Sequence, residues 1–117
     1  MGDSKICRFV AVLLCIALPA FGHAVLLSAT PNFKEVMAGP DVRINLRFNS
    51  RIDGKRSSLI LVTPRGEQRT LPISETTAPD SLGSEATGLA GGAYVLRWQV
   101  LAADGHISRG EVAFRVQ

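Results

Sequence analysis

The sequence predicts an all-β protein, an immunoglobulin-like β-sandwich or Greek-key barrel of about seven strands. Apolar and polar residues alternate with a period of two along several segments, and turn-forming residues separate these segments at regular intervals. No segment shows a sustained helical period. Short strands joined by turns are typical of two packed sheets. Residues 23–117 are enough for one hydrophobic core and too few for two.

The start of the chain predicts a cleaved signal peptide at residues 1–22. Lys5 and Arg8 give it a positively charged beginning, and residues 9–21 are almost wholly apolar but too few to span a bilayer. No later hydrophobic stretch is long enough to anchor the protein. We therefore expect one domain at residues 23–117, exported and without a membrane anchor after cleavage.

The small residues near the end of this segment indicate where it is cut. Ala20 and Gly22 occupy the −3 and −1 positions of a cut after Gly22, which would make His23 the first residue of the mature chain. A cut after Ala24 satisfies the same rule, so the small-residue pattern leaves both open. Lipidation at Cys15 is disfavoured because a bulky leucine precedes it.

Cysteine and charge distributions narrow the possible functions. Cys7 and Cys15 are the two cysteines of the chain, and both fall in the signal segment, so the mature fold has to rest on its apolar core without disulfides. The net charge of +3 comes from scattered basic residues, several of which alternate with apolar ones on predicted strands. There is no basic run and no interleaved aromatic platform, which argues against a nucleic-acid partner.

Strand predictions for the first two thirds of the mature chain vary in their pattern. Residues 42–48 alternate strictly between apolar and polar, and residues 59–62 form a continuous apolar run typical of a deeply buried strand. Residues 24–28 and 69–73 are shorter candidates. Residues 74–88 are small and polar, which predicts a surface loop with room for one short edge strand.

The last third carries the clearest alternation. Residues 94–100 and 112–116 each place apolar side chains on one face, and Trp98 and Phe114 point inward by this period. We interpret both aromatic residues as core packing rather than as binding groups. Tyr94 is a candidate corner residue whose hydroxyl would bond to the backbone.

The two histidines of the chain are the most informative residues for chemistry. His23 is the predicted first residue, where its α-amine and its imidazole Nδ1 can close a chelate ring on a metal ion. His106 lies in an Asp104-Gly105-His106 turn, where a spacing of two puts the carboxylate and the imidazole on the same side of an extended segment. Gly105 keeps bulk away from an ion held there.

This donor set favours Cu(II) over other metals. Nitrogen- and oxygen-rich tetragonal coordination suits Cu(II), and the absence of thiolates disfavours a structural zinc site. Met37 is the one methionine that remains after cleavage, so a soft-ligand Cu(I) site is not expected. Asp-Gly-His is, however, also a common hairpin turn, and a histidine after a signal peptide is often incidental. The residues alone therefore leave a metal-free reading open.

Several segments, in order, resemble the CopC-type family of periplasmic copper-binding proteins. The resemblance is carried by five stretches of the mature chain: residues 23–31 (HAVLLSATP), 42–48 (VRINLRF), 89–98 (LAGGAYVLRW), 100–106 (VLAADGH) and 110–116 (GEVAFRV). The first matches the family's His-Ala start, and the last three match its Gly-x-Tyr-x-Val-x-Trp, Asp-Gly-His and Gly-x-x-x-Phe-x-Val pattern.

The resemblance implies an immunoglobulin-like fold with one Cu(II) at an edge, bound by the amine and imidazole of His23 and by Asp104 and His106. It also implies a cut after Gly22, because the alternative would destroy the site. The implied function is that of a periplasmic carrier or buffer in copper resistance or homeostasis. A separate inner-membrane copper transporter of the CopD type is the implied partner.

Two departures from the family pattern concern the site. Some relatives carry an acidic residue just after the phenylalanine of the second strand, where this chain has Asn49, so that extra ligand is missing or replaced by Asn49 or water. Many relatives also have proline after Asp-Gly-His, where this chain has Ile107. The chain lacks the methionine-rich loop of relatives that bind Cu(I).

Two competing functions come from other classes. An amine-plus-imidazole chelate with a second imidazole resembles the histidine brace of oxidative copper enzymes, but Asp104 would take a position that oxygen chemistry needs open. A metal-free interaction module of sandwich type is the other alternative. It predicts that substituting His23 changes nothing.

Overall fold

The computed structural model describes residues 24–75 and 78–117, and every regular element in that part of the chain is a β-strand. The predicted signal peptide, residues 1–22, and His23 lie outside the described residues. The eight strands are β1 (Leu26–Thr30), β2 (Val36–Met37), β3 (Val42–Phe48), β4 (Ile52–Val62), β5 (Gln68–Leu71), β6 (Ser81–Ala86), β7 (Gly92–Ala102) and β8 (Ile107–Val116).

The strands form two sheets, which confirms the predicted sandwich. One sheet has the order β1-β3-β6, and the other has the order β2-β8-β7-β4-β5. The count is eight rather than about seven because the two-residue β2 pairs in parallel with the end of β8, at Arg115 and Val116. A segment this short carries too little alternation to be read from sequence.

The core lies between the sheets and is built from the alternation that the sequence displays. Along β3 every second residue from Val42 to Phe48 is buried and those between are exposed, as predicted. Trp98 on β7 and Phe114 on β8 are both buried, which confirms the inward direction assigned to them. Trp98 meets Phe48 of the opposite sheet edge-to-face at 5.1 Å, so these aromatic rings join the two layers.

Tyr94 is the corner residue that the sequence indicated. Its hydroxyl donates a 2.7 Å hydrogen bond to the backbone oxygen of Ala90, four residues earlier. Its ring stacks on Phe114 with centroids 5.7 Å apart. The buried hydroxyl therefore has its partner, and the ring contributes to the core at the end of the sandwich where β7 begins.

The polar segment predicted as a surface loop contains the edge strand that the prediction allowed for. Residues 81–86 form β6 at the edge of the three-stranded sheet, which confirms this part of the prediction. Leu82 is buried, and the Ser84 hydroxyl is satisfied by the Pro72 oxygen at 2.6 Å. The sequence of this strand gives only a weak strand signal because its side chains are mostly small and polar. Pairing with β3 stabilises the strand more than its own composition does.

The fourth strand is also longer than its apolar run. It begins at Ile52 rather than at Leu59, and its pairing with β7 is irregular between Asp53 and Ser58. Its early part places the β3–β4 loop beside the β7–β8 turn. Within the described residues there is no helix long and apolar enough to cross a membrane.

Candidate metal centre

The turn between β7 and β8 has a fixed backbone. Ala102 donates its N–H to the oxygen of His106 at 2.8 Å, and Gly105 donates its N–H to the oxygen of Ala102 at 2.9 Å. Gly105 has a φ of 92°, a conformation that glycine adopts readily and other residues rarely do. These contacts hold residues 103–106 in one tight turn at the edge of the sandwich.

Within this turn the two predicted ligands lie side by side. The His106 Nδ1 is 3.2 Å from the Asp104 Oδ2, and the two side chains are 60% and 43% exposed. Two ligands at right angles, each about 2.0 Å from a first-row metal ion, are about 2.8 Å apart. The separation in the structure is therefore close to what one ion needs from both groups, and both are accessible from solvent.

The surroundings of the Asp104 carboxyl group favour its ionised form. The backbone N–H of His106 donates a 3.1 Å hydrogen bond to its Oδ1. This hydrogen bond is the main reason that the pKa of Asp104 lies below its ordinary value, with a smaller contribution from the His106 side chain. The carboxylate is anionic at neutral pH, as a ligand for a cation has to be.

The beginning of the described chain is anchored at the same place. Ala24 is buried and donates its N–H to the Ser108 Oγ at 3.1 Å. Val25 donates its N–H to the Asn49 Oδ1 at 2.8 Å, and the Asn49 N–H returns a 3.0 Å bond to the Val25 oxygen. The peptide nitrogen that follows residue 23 is therefore held by a serine only two residues beyond His106.

The β3–β4 loop completes the support. Ala103 donates its N–H to the Arg51 oxygen at 3.0 Å, so the turn that carries Asp104 rests on the same loop that contains Asn49. Three segments distant in sequence thus meet at one edge: residues 24–25, residues 49–51 and residues 103–106.

The structure brings together Asp104 and His106 of the three predicted ligands, whereas His23 lies outside the described residues. Among residues 24–75 and 78–117, no cluster of three or more His, Cys, Asp or Glu side chains is placed to hold a metal. A metal ion at Asp104 and His106 would therefore need further donors from outside the described side chains.

Two residues anchor this backbone: Ser108, which the sequence did not assign to the site, and Asn49, which it offered only as a replacement for an acidic ligand. Ser108 lies on β8, two positions after His106. Residues two apart in an extended segment point to the same side, so this spacing could have indicated that Ser108 lies near the site. Asn49 stands where some relatives carry an acidic residue, and its side-chain oxygen accepts the Val25 N–H. The contact between Asn49 and Val25 depends on the pairing of β1 with β3, which the sequence does not reveal.

Comparison with known proteins gives a family match and several similar structures. The chain matches the CopC domain family over residues 26–117. Its fold is similar to that of CopC from Methylosinus trichosporium OB3b, with 30% identity, a TM-score of 0.73 and coverage of 81% of this chain and 94% of that one. A sequence search of curated proteins finds no match.

More distant structures share the fold alone. PcoC, a methionine-rich copper resistance protein from Escherichia coli, is 23% identical with a TM-score of 0.68, and the match covers 81% of this chain and 99% of PcoC. A fibronectin(III)-like module structure of Clostridium thermocellum CbhA is also 23% identical, with a TM-score of 0.52 and coverage of 81% and 46%. The sandwich architecture is therefore common to copper proteins and to other modules.

Proposed function

The chain belongs to the CopC domain family, and on this basis we propose that it is a periplasmic Cu(II)-binding protein that acts in copper resistance or homeostasis as a carrier or buffer. Copper is its cargo. The proposed domain is residues 23–117, released from a signal peptide at residues 1–22. The proposed ligands are the amine and imidazole of His23 together with Asp104 and His106.

The observation that carries this proposal is the anchoring of Ala24. Its nitrogen is bonded to residue 23 and lies 3.1 Å from the Ser108 Oγ, on the strand that follows the Asp-Gly-His turn. Consecutive Cα atoms are about 3.8 Å apart, so a chain that begins at His23 begins within a few ångströms of Ala24. A chain start at that position would lie near Ser108, two residues beyond His106, which is why we propose it as the source of the remaining ligands.

The chemistry of this donor set supports Cu(II) and a binding role. Two imidazoles, an amine and a carboxylate supply nitrogen- and oxygen-rich coordination, which suits Cu(II) in a tetragonal site. Because Asp104 would take a coordination position that oxygen chemistry needs open, we propose binding rather than catalysis. A separate inner-membrane transporter of the CopD type is the proposed recipient or donor of the copper.

Native mass spectrometry of the exported protein, after addition of one equivalent of Cu(II) and desalting, tests the proposal in one experiment. The mass of the metal-free protein identifies its first residue, and the added mass counts the bound ions. We expect a chain that begins at His23 and retains one copper ion. A chain that begins at Val25, or one that retains no copper, would contradict the proposal.

The Asn49 side chain is expected to be required for full affinity although it is not a ligand. Asn49→Ala removes the acceptor of the Val25 N–H, so the start of the chain would have to be ordered when copper binds. Loss of such supporting contacts typically weakens metal binding by about 10- to 100-fold. The measurement is the Cu(II) dissociation constant, obtained by competition with a chelator of known affinity.

Two matched variants make this result specific. Asn49→Asp keeps an acceptor oxygen at this position and adds the carboxylate that some relatives carry there, so its affinity should be equal to or higher than that of the unchanged protein. Asn45→Ala, on the exposed face of β3, the strand that precedes Asn49, should leave the affinity unchanged. If Asn49→Ala binds copper as tightly as the unchanged protein, the anchoring of the chain start is not part of the site.

A further inference from the structure

The turn that precedes β2 displays a phenylalanine to solvent. Phe33 is 64% exposed, and Val36, three residues later, is 55% exposed. Single apolar residues scattered over a surface are ordinary, whereas adjoining ones mark contact sites for a protein or a membrane. Two large exposed apolar side chains within four residues therefore point to such a site.

Hydrogen bonds fix the backbone of this turn. The Glu35 N–H donates to the Asn32 oxygen at 3.0 Å, which makes Phe33 and Lys34 the two corner residues. The Asn32 N–H donates in return to the Glu35 Oε1 at 2.8 Å, and the Lys34 N–H donates to the Ala113 oxygen of β8 at 2.7 Å. Because the turn is already ordered, little backbone entropy is lost when Phe33 meets a partner.

Lys34 occupies a corner that the turn alone does not favour for lysine. Its φ is 63°, in the left-handed region, and the second corner of a turn with a positive φ usually holds glycine or asparagine. Strained backbone of this kind is concentrated at functional sites. The lysine is therefore better explained by its charge than by the geometry of the turn.

Positive charge lies directly beside the exposed apolar residues. The Lys34 Nζ is 5.3 Å from the centroid of the Phe33 ring. Val36 pairs with Arg115, and both side chains are exposed on the same face. In the part of the chain that the structure describes, neither cation has an ion pair. The Glu35 carboxylate, the one acid of the turn, accepts a backbone N–H within it.

We propose that the Phe33 patch, formed by Phe33, Lys34, Val36 and Arg115, docks on a membrane surface that contains anionic lipids. Surfaces that lie in the membrane interface combine apolar side chains, which enter the boundary between headgroups and acyl chains, with Lys and Arg, which attract anionic headgroups. A projecting turn suits this partner because a fluid bilayer yields around it, whereas a protein partner would need a pocket of matching shape.

The docked orientation leaves the candidate metal centre open. The Phe33 patch lies beside residues 113–115 near the end of β8, whereas His106 directly precedes the beginning of β8. Seven residues of extended chain separate His106 from Ala113 and span about 23 Å. Docking is therefore independent of the proposed copper site. It is weak and reversible, because two apolar side chains bury less surface than an acyl chain.

Cosedimentation of the metal-free exported protein with lipid vesicles tests this docking. The vesicles contain equal parts of phosphatidylglycerol and phosphatidylcholine, or phosphatidylcholine alone. We expect binding to the anionic vesicles that weakens as salt is added, and binding at least about tenfold weaker to phosphatidylcholine alone. Phe33→Ser should weaken binding to the anionic vesicles about tenfold. Lys34→Gly should weaken it about fivefold while relieving the strain in the turn.

Matched variants separate this patch from the rest of the surface. Leu27→Ser removes an apolar side chain that is 56% exposed on β1, and Arg43→Gln removes one exposed positive charge on β3. Both should bind the anionic vesicles within about twofold of the unchanged protein, since neither residue is near the membrane in the docked orientation. Circular dichroism confirms that each variant is folded.

Three results would overturn the inference. The first is a protein that does not sediment with the anionic vesicles, including one that instead self-associates through Phe33, since the turn would then bind a second copy. The second is vesicle binding that Phe33→Ser leaves intact. The third is a loss from Arg43→Gln as large as that from Lys34→Gly, which would indicate general attraction of a basic protein.

Discussion

His106→Ala is expected to reduce Cu(II) affinity by at least about 100-fold, because it removes a ligand and not only a supporting contact. The fold should not change, since the side chain is 60% exposed and the turn is held by backbone hydrogen bonds. Surface substitutions away from special features usually alter stability by about 0.5 kcal/mol or less. Affinity is measured by chelator competition, and stability by thermal unfolding of the metal-free protein.

Neighbouring substitutions show whether the effect belongs to the ligand. Asp104→Asn keeps an oxygen that can accept the His106 N–H but removes the charge, so it should weaken copper binding while the turn persists. Ile107→Ala changes the next residue, which is half exposed, and should bind copper normally. If His106→Ala retained native affinity, the Asp-Gly-His turn would be a hairpin connection without a metal role.

Gly110→Ala is expected to have the largest effect on stability relative to the size of the change. A Cβ at this position would lie 2.3 Å from the Cζ2 of Trp98, which is buried directly opposite it on β7. The indole cannot withdraw easily because it packs against Phe48 at 5.1 Å. Overpacking of this kind costs about 1–3 kcal/mol, measured as the free energy of unfolding in urea.

A second strand glycine provides the control. At Gly54, on β4, an added Cβ would meet only the Ile73 Cγ2 at 3.9 Å, an ordinary contact. Gly54→Ala should therefore be neutral or slightly stabilising, because alanine reduces the freedom of the unfolded chain. Equal stability of the two variants would show that Trp98 adjusts to the added methyl group and that Gly110 is not required by packing.

Much of the fold was predictable because period-two alternation is a direct consequence of burying one face of a strand. It identified β3, β7 and β8 and the inward direction of Trp98 and Phe114. Strands β2 and β6 were not readable in this way. The first is two residues long, and the second consists largely of small and polar residues that become strand through pairing with β3.

For the candidate site, local spacing predicted that Asp104 and His106 lie together, whereas the contacts around them depend on tertiary structure. A separation of two residues put Asp104 and His106 side by side, as they are in the turn. The anchoring of Ala24 and Val25 by Ser108 and Asn49 joins residues 84 and 24 positions apart. Contacts at such distances depend on how the two sheets pack, and no local pattern in the sequence encodes that.

We propose that the free amine of His23 is a copper ligand, and electron paramagnetic resonance during a Cu(II) titration tests this most directly. The native-start protein is compared with one that carries a single extra residue before His23. For the protein that begins at His23 we expect one tightly bound equivalent of Cu(II) with a nitrogen-rich tetragonal signal. The extended protein should bind far more weakly or give a different signal. Identical binding and spectra for the two proteins would contradict the claim.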